Sequence, residues 1–166
     1  MKYLAVFLFL GHISCNFSNK NKVDNYILDD QRIKLTDRIK GKFINSIDSV
    51  IGKRQEDKCV LLLINFHDCD NCVNAGFYIS KKIDSLNHSP IVKVVCSMMN
   101  PSNFQNRNEY YEYVYYDEND LIRRELKYLP TPCFVLLNGK NQVLDFYFPT
   151  DTFLVNYNNF VQSCLK

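Results

Sequence analysis

Apolar residues at Ile33, Leu35, Ile39, Phe43, Ile47, Val50 and Ile51 recur at intervals of three and four. This spacing predicts an amphipathic helix over residues 31–54, with Gly41 inside it and Gly52-Lys53-Arg54 as its stop. Residues 59–66 (CVLLLINF) form an unbroken apolar run, as in a central strand covered on both faces. A polar turn follows at 67–71. Residues 72–86 then place Val73, Phe77, Ile79, Ile83 and Leu86 at helical spacing. Pro90 opens a second buried run over 91–98. Strand, helix and strand in this order predict a βαβ unit with parallel strands and a right-handed crossover.

Residues 100–108 are polar without a period, and 110–116 (YYEYVYY) suit a strand by propensity. Residues 117–120 (DEND) read as an acidic helix start, and Leu121, Ile122, Leu126 and Leu129 as a short helix ending before Pro130. Residues 133–137 form a strand. Asn138-Gly139 is the strongest hairpin signal in the chain, and 143–148 return antiparallel. Phe153, Leu154, Tyr157, Phe160, Val161 and Cys164 mark a closing helix over 152–165.

The N-terminus has a different pattern. One lysine precedes an apolar run at residues 4–11, which ends near Ser14 and Cys15. The run is too short to span a bilayer permanently and reads as a secretory signal over residues 1–14. A small residue directly before Cys15 resembles the end of a bacterial lipoprotein signal. That resemblance implies cleavage before Cys15, lipidation of its thiol, and attachment to a membrane facing the periplasm or exterior. His12 stands where such signals carry an aliphatic residue, and a plain signal peptide cut elsewhere is the competing reading. Residues 15–30, rich in Asn, Lys and Asp, read as a tether, and residues 31–166 as the folded domain.

With 166 residues the chain has room for one ordinary domain with a real core. A net charge of +2 offers no basic stripe, so nothing points to a nucleic-acid partner. Five Gly and five Pro exclude a collagen-like or disordered chain. The seven cysteines need individual roles. Cys59, Cys96, Cys133 and Cys164 lie in apolar stretches and read as buried small hydrophobes. Cys133 also follows a proline and could border the chemistry.

Cys69-Asp70-Asn71-Cys72 is a CxxC pair where a buried strand gives way to a helix. Free N–H groups and the dipole at a helix start stabilise a thiolate, which is the attacking species. The two-residue spacer lets the second sulfur resolve a mixed disulfide formed by the first. A structural disulfide is the plainer reading. Half of a zinc site is a weaker one, because no second ligand pair at ordered spacing is present.

Thr131-Pro132 immediately precedes the strand 133–137, followed by the Asn-Gly hairpin and the last helix. CxxC and Thr-Pro-strand-hairpin-helix in this order resemble the thioredoxin-like superfamily over residues 31–166. The resemblance implies an α/β fold with a central mixed sheet flanked by helices. It also implies a cis-proline at Pro132 that, with Thr131, shapes a groove for an extended substrate chain. The additional segment 99–120 resembles the secreted, membrane-attached branch of that superfamily.

The resemblance implies thiol–disulfide exchange on disulfide-bearing exported proteins, with Cys69 attacking and Cys72 resolving. A membrane thiol reductase would supply electrons, and no metal or other cofactor is required. A non-catalytic thioredoxin-fold binding module of the cell envelope is the alternative. The chain departs from the superfamily at Asp68, where Trp is usual, and at the Asp70-Asn71 spacer. Asn65 falls near a position where relatives carry a buried acid. Asp68 and Asp70 bracket Cys69, and like charges disfavour its thiolate, which predicts a reducing pair. A protonated His67 would act in the opposite direction.

Overall fold

The computed structural model describes residues 34–65, 67–97, 114–149 and 154–165. The signal, tether and Cys15 lie outside these residues, as does most of the segment 99–120. The chain divides into two units, Met1–Asp37 and Arg38–Lys166. Of the first, residues 34–37 are described, and they are helical.

In the second unit, strands β1 (Lys58–Asn65), β2 (Val92–Ser97), β3 (Val114–Asp117), β4 (Cys133–Asn138) and β5 (Val143–Tyr147) form one sheet in the order β3-β2-β1-β4-β5. β1 runs parallel to β2, and β2 to β3, whereas β4 and β5 are antiparallel to their neighbours. The sheet is therefore mixed, with β1, apolar from Cys59 to Ile64, at its centre. Strand β3 lies within the stretch expected to be an insertion, so its last residues belong to the sheet.

Helix α1 is Ile47–Ile51, α2 is Asp70–Asn87, α3 is Leu121–Glu125 and α4 is Leu154–Leu165. Alternation along β1 sends Val60, Leu62 and Ile64 into one core cluster with Val73, Phe77 and Ile83 of α2 and Phe160, Val161 and Cys164 of α4. Phe160 stacks near Phe134 and Tyr147 at centroid separations of 5.9 and 5.7 Å, tying α4 to β4 and β5. A Cβ placed on Gly76 would lie 3.1 Å from a Leu62 methyl, so the missing side chain lets α2 lie close over β1. That packing holds the start of α2 at the C-terminal end of the central strand.

The single helix expected over 31–54 does not form. Helical backbone ends at residue 39, Gly41 takes a φ of 82°, and α1 is a separate turn ended by Gly52. Between them the chain pairs with the hairpin: Gly41 N–H donates to Val143 O at 2.8 Å, and Val143 N–H to Lys42 O at 2.8 Å. Unpaired groups of the hairpin edge outweigh the helical pattern, and glycine permits the bend. Ile39, Ile44, Ile47 and Ile51 are buried all the same, but Phe43 is 55% exposed.

Asp117 accepts the Leu121 and Ile122 N–H groups at 2.8 and 2.9 Å, so the acidic start of α3 is a side-chain cap. The hairpin forms at Asn138-Gly139, but Asn141 rather than Gly139 is left-handed, at φ 61°. Asn138 Oδ1 accepts from Lys140 and Gln142 N–H and fixes a loop longer than two residues.

Candidate active site

Asn65 ends β1 and begins a tight turn. The Asp68 N–H donates to Asn65 O at 3.1 Å, and the Asn65 N–H donates to Asp68 Oδ2 at 2.7 Å. Asn65 Oδ1 accepts the His67 N–H at 3.2 Å. Asn65 thus builds the turn near the place where, by the resemblance, thioredoxin-like proteins carry a buried acid. Asn65, Ser97 and Asp117 are register partners at the C-terminal ends of the three parallel strands, a polar end to an otherwise apolar sheet.

The turn delivers Cys69 to the N-cap of α2, two residues earlier than the helix expected from Cys72. Its sulfur accepts the Cys72 N–H at 3.1 Å, and the Val73 N–H donates to Cys69 O at 3.0 Å. Cys69 and Cys72 are joined by a disulfide with Cα atoms 5.2 Å apart. Cys69 is exposed and Cys72 half-buried, so an incoming sulfur meets Cys69 first. In the reduced form the same N–H that caps the helix through Cys69 Sγ would stabilise a thiolate there.

The Thr131–Pro132 peptide is cis, and Pro132 is buried at the head of β4. Thr131 Oγ1 donates to Asp68 Oδ1 at 2.7 Å, a charge-assisted contact between residues 63 positions apart. The CxxC turn and the Thr-Pro loop are thereby tied side chain to side chain. Burial pushes the Asp68 carboxyl above the ordinary carboxylate value, against the opposing effects of the Asn65 N–H, the Thr131 hydroxyl and the Arg123 and His67 charges. Asp68 was expected to act on Cys69 as a bracketing charge. Both of its oxygens are also engaged in hydrogen bonds, by Asn65 and Thr131. Asp70 and His67 are exposed, at the start of α2 and in the turn.

Arg123 was not singled out in the sequence. Its Nε donates to Leu129 O at 3.3 Å, and its Nη1 lies 3.4 Å from Asp120 Oδ2. One of two adjacent arginines on a short helix gives no sign that it holds a loop six residues away.

The four remaining described cysteines are free and buried. Burial pushes the Cys59 thiol up to about 11 and the Cys96 and Cys164 thiols up to about 12. Cys133 is raised well above its ordinary value by burial, and its S–H donates to Phe134 O at 3.3 Å. It pairs with Leu63 of β1. Among the described residues no cluster of three or more His, Cys, Asp or Glu side chains is placed to hold a metal. No helix among them is long and apolar enough to cross a membrane.

No family model matches the chain, and no curated protein matches it in sequence. Solved structures do match in fold. A thiol-disulfide isomerase from Corynebacterium glutamicum is 18% identical, with a TM-score of 0.51 over 77% of this chain and 94% of that one. A thioredoxin-like superfamily protein is 14% identical, with a TM-score of 0.52 over 76% of this chain and 93% of that one. The thioredoxin domain of a Bacteroides vulgatus thiol-disulfide oxidoreductase is 7% identical, with a TM-score of 0.51 over 68% and 81%. The fold is thioredoxin-like.

Proposed function

We propose that the protein is a thiol–disulfide oxidoreductase that reduces disulfides in exported proteins. The observation that carries this reading is the Cys69–Cys72 disulfide at the N-terminus of α2, with Cys69 the exposed sulfur. In the reduced enzyme the Cys69 thiolate attacks a substrate disulfide. A mixed disulfide forms, and the first substrate sulfur leaves as a thiolate. Cys72 then attacks Cys69 Sγ, which releases the second substrate thiolate and closes the Cys69–Cys72 bond. Two electrons pass to the substrate, and each released thiolate takes up a proton. Thr131 and Pro132 border the groove that receives the substrate chain. A membrane thiol reductase returns the electrons by the same exchange in reverse.

The reducing direction is supported by Asp70 in the first turn of α2 and by Asp68 directly before Cys69. Negative charge beside the thiolate favours the disulfide form of the enzyme. Export and anchoring are supported by the apolar run before Cys15 and the polar stretch after it. Reduction of insulin disulfides with dithiothreitol as donor tests the activity. Turnover by the native chain and none by Cys69→Ser is expected. A folded native chain without turnover would make the protein a binding module. Equilibration with glutathione should give a potential nearer about −270 mV than about −120 mV, the range between reducing and strongly oxidising pairs. Metabolic labelling with palmitate, abolished by Cys15→Ser, is expected if Cys15 is the anchor.

A further inference from the structure

We propose that Asp68 is a positioning residue that holds the Thr131–Pro132 loop against the dithiol turn and so sets the shape of the substrate groove. This inference rests on the oxidoreductase reading. Residues 129–132 lead into β4, and Pro132 has no N–H with which a neighbouring strand could hold it. The loop is instead held by side chains at both ends. Arg123 Nε takes the Leu129 carbonyl at 3.3 Å, and Asp68 Oδ1 takes the Thr131 hydroxyl at 2.7 Å. The chain enters the loop through Lys127 and Tyr128, both left-handed at φ 57° and 56° without being glycine. Two consecutive residues in that region persist only where the surroundings over-determine them. The Tyr128 N–H, donating to Arg123 O at 2.6 Å, is part of that surrounding.

Asp68 is suited to the task because its other oxygen accepts the Asn65 N–H at the end of the central strand. One carboxylate therefore joins three segments: the end of β1, the residue before Cys69, and the residue before Pro132. Its two acceptor oxygens meet two donors, which makes its contribution to holding the loop geometric. Asparagine can keep both contacts, with Oδ1 accepting the Asn65 N–H and Nδ2 donating to the Thr131 hydroxyl. Alanine can keep neither. Valine at 131 keeps the shape of Thr131 but removes the donor. Serine keeps the donor.

The test is steady-state reduction of insulin by the full chain and its variants, with KM and kcat resolved. Loss of the Asp68–Thr131 hydrogen bond predicts that Thr131→Val raises KM by about fivefold to tenfold, and that Asp68→Ala, which also frees the Asn65 N–H, raises it by at least as much, with kcat changed by less than about twofold in each. The double variant should be no worse than Asp68→Ala alone, because the contact that Thr131→Val removes is already lost there. Asp68→Asn and Thr131→Ser should recover most of the loss. If Asp68→Ala fails to fold, Thr131→Val with its Ser rescue carries the same comparison. Unchanged KM in Thr131→Val, multiplying losses in the double variant, or an Asp68→Asn as impaired as Asp68→Ala would overturn the inference while the native activity stands. Absence of activity in the folded native chain would remove both the oxidoreductase reading and this one.

Discussion

Glu125 Oε1 accepts the Ser46 N–H at 2.9 Å across 79 positions of sequence. Its other oxygen accepts the Asn45 N–H at 2.7 Å, so one carboxylate at the end of α3 satisfies two donors just before α1. Burial alone would push this carboxyl up, but the combined Asn45 and Ser46 contacts outweigh it and hold Glu125 below its ordinary value of 4.5. A lowered folded-state value means that the contribution to stability is present above 4.5 and is lost as pH falls through the folded value. Glu125→Ala should destabilise the protein by about 1–2 kcal/mol at neutral pH, the range for charged hydrogen bonds at a part-exposed site. In urea melts the gap between native chain and variant should close in acid. A gap that persists undiminished in strong acid would exclude this role.

Buried thiols and the exposed pair should separate cleanly in their chemistry. After reduction, iodoacetamide at mildly alkaline pH should modify Cys69 first and Cys72 next. Cys59 at about 11 and Cys96 and Cys164 at about 12 are buried and protonated there, so they should react only after unfolding. Cys133, buried and bonded to a carbonyl, belongs with them. Peptide mapping by mass spectrometry reads the outcome. Labelling of Cys133 in the folded protein at the rate of Cys72 would place it in the chemistry after all.

Strands β1, β2 and β4 were legible in the sequence because each is a short run dense in Val, Ile, Leu and Cys, and β3 lies at the end of the tyrosine-rich run 110–116. CxxC at a strand-to-helix junction and Thr-Pro before a strand identified the two loops of the site. What the sequence hid is long-range pairing. The apolar period over 31–54 holds in part: Ile39, Ile47 and Ile51 are buried, but Ile44 is buried in place of Phe43, which is 55% exposed. Yet the hairpin edge claims the backbone between them, and no local propensity reports that. The sequence shows Asp68 only as a charge beside Cys69. Its bond to Thr131 depends on a partner 63 residues away.

His88 ends α2 in the left-handed region, at φ 54° and ψ 18°, with its N–H donating to Ser85 O. It is exposed and remote in sequence from the site loops. A side chain in this region costs about 1 kcal/mol that glycine avoids, partly offset by the greater freedom of glycine in the unfolded chain. His88→Gly should therefore raise stability by about 0.5 kcal/mol, a rise in Tm of roughly 1–2 °C for a domain of this size. Calorimetry measures it, and insulin reduction should be unaltered. A fall in Tm would mean that the His88 side chain makes a stabilising contact the backbone argument ignores.

Asp70 opens α2 between the two cysteines, exposed and in the first turn. Its charge acts in two directions. Toward the helix it is favourable, because the N-terminal end of the dipole attracts a carboxylate by about 0.3–1 kcal/mol in either redox state. Toward a Cys69 thiolate it is repulsive, and only the reduced enzyme experiences that repulsion. Asp70→Asn should therefore lower stability slightly in the disulfide form, leave the reduced form unchanged or slightly more stable, and make the pair more oxidising. A charge–charge term of about 1 kcal/mol near the surface corresponds to a rise in potential of about 20 mV. The protein has no Trp, so the equilibrium with glutathione is best read as a mass shift after alkylation rather than by fluorescence. Raising the salt concentration should shrink the difference between native chain and variant, since both groups lie where solvent screens them. A potential that stays the same or falls in Asp70→Asn would show that Asp70 does not oppose the thiolate, and the reducing character would then need another source.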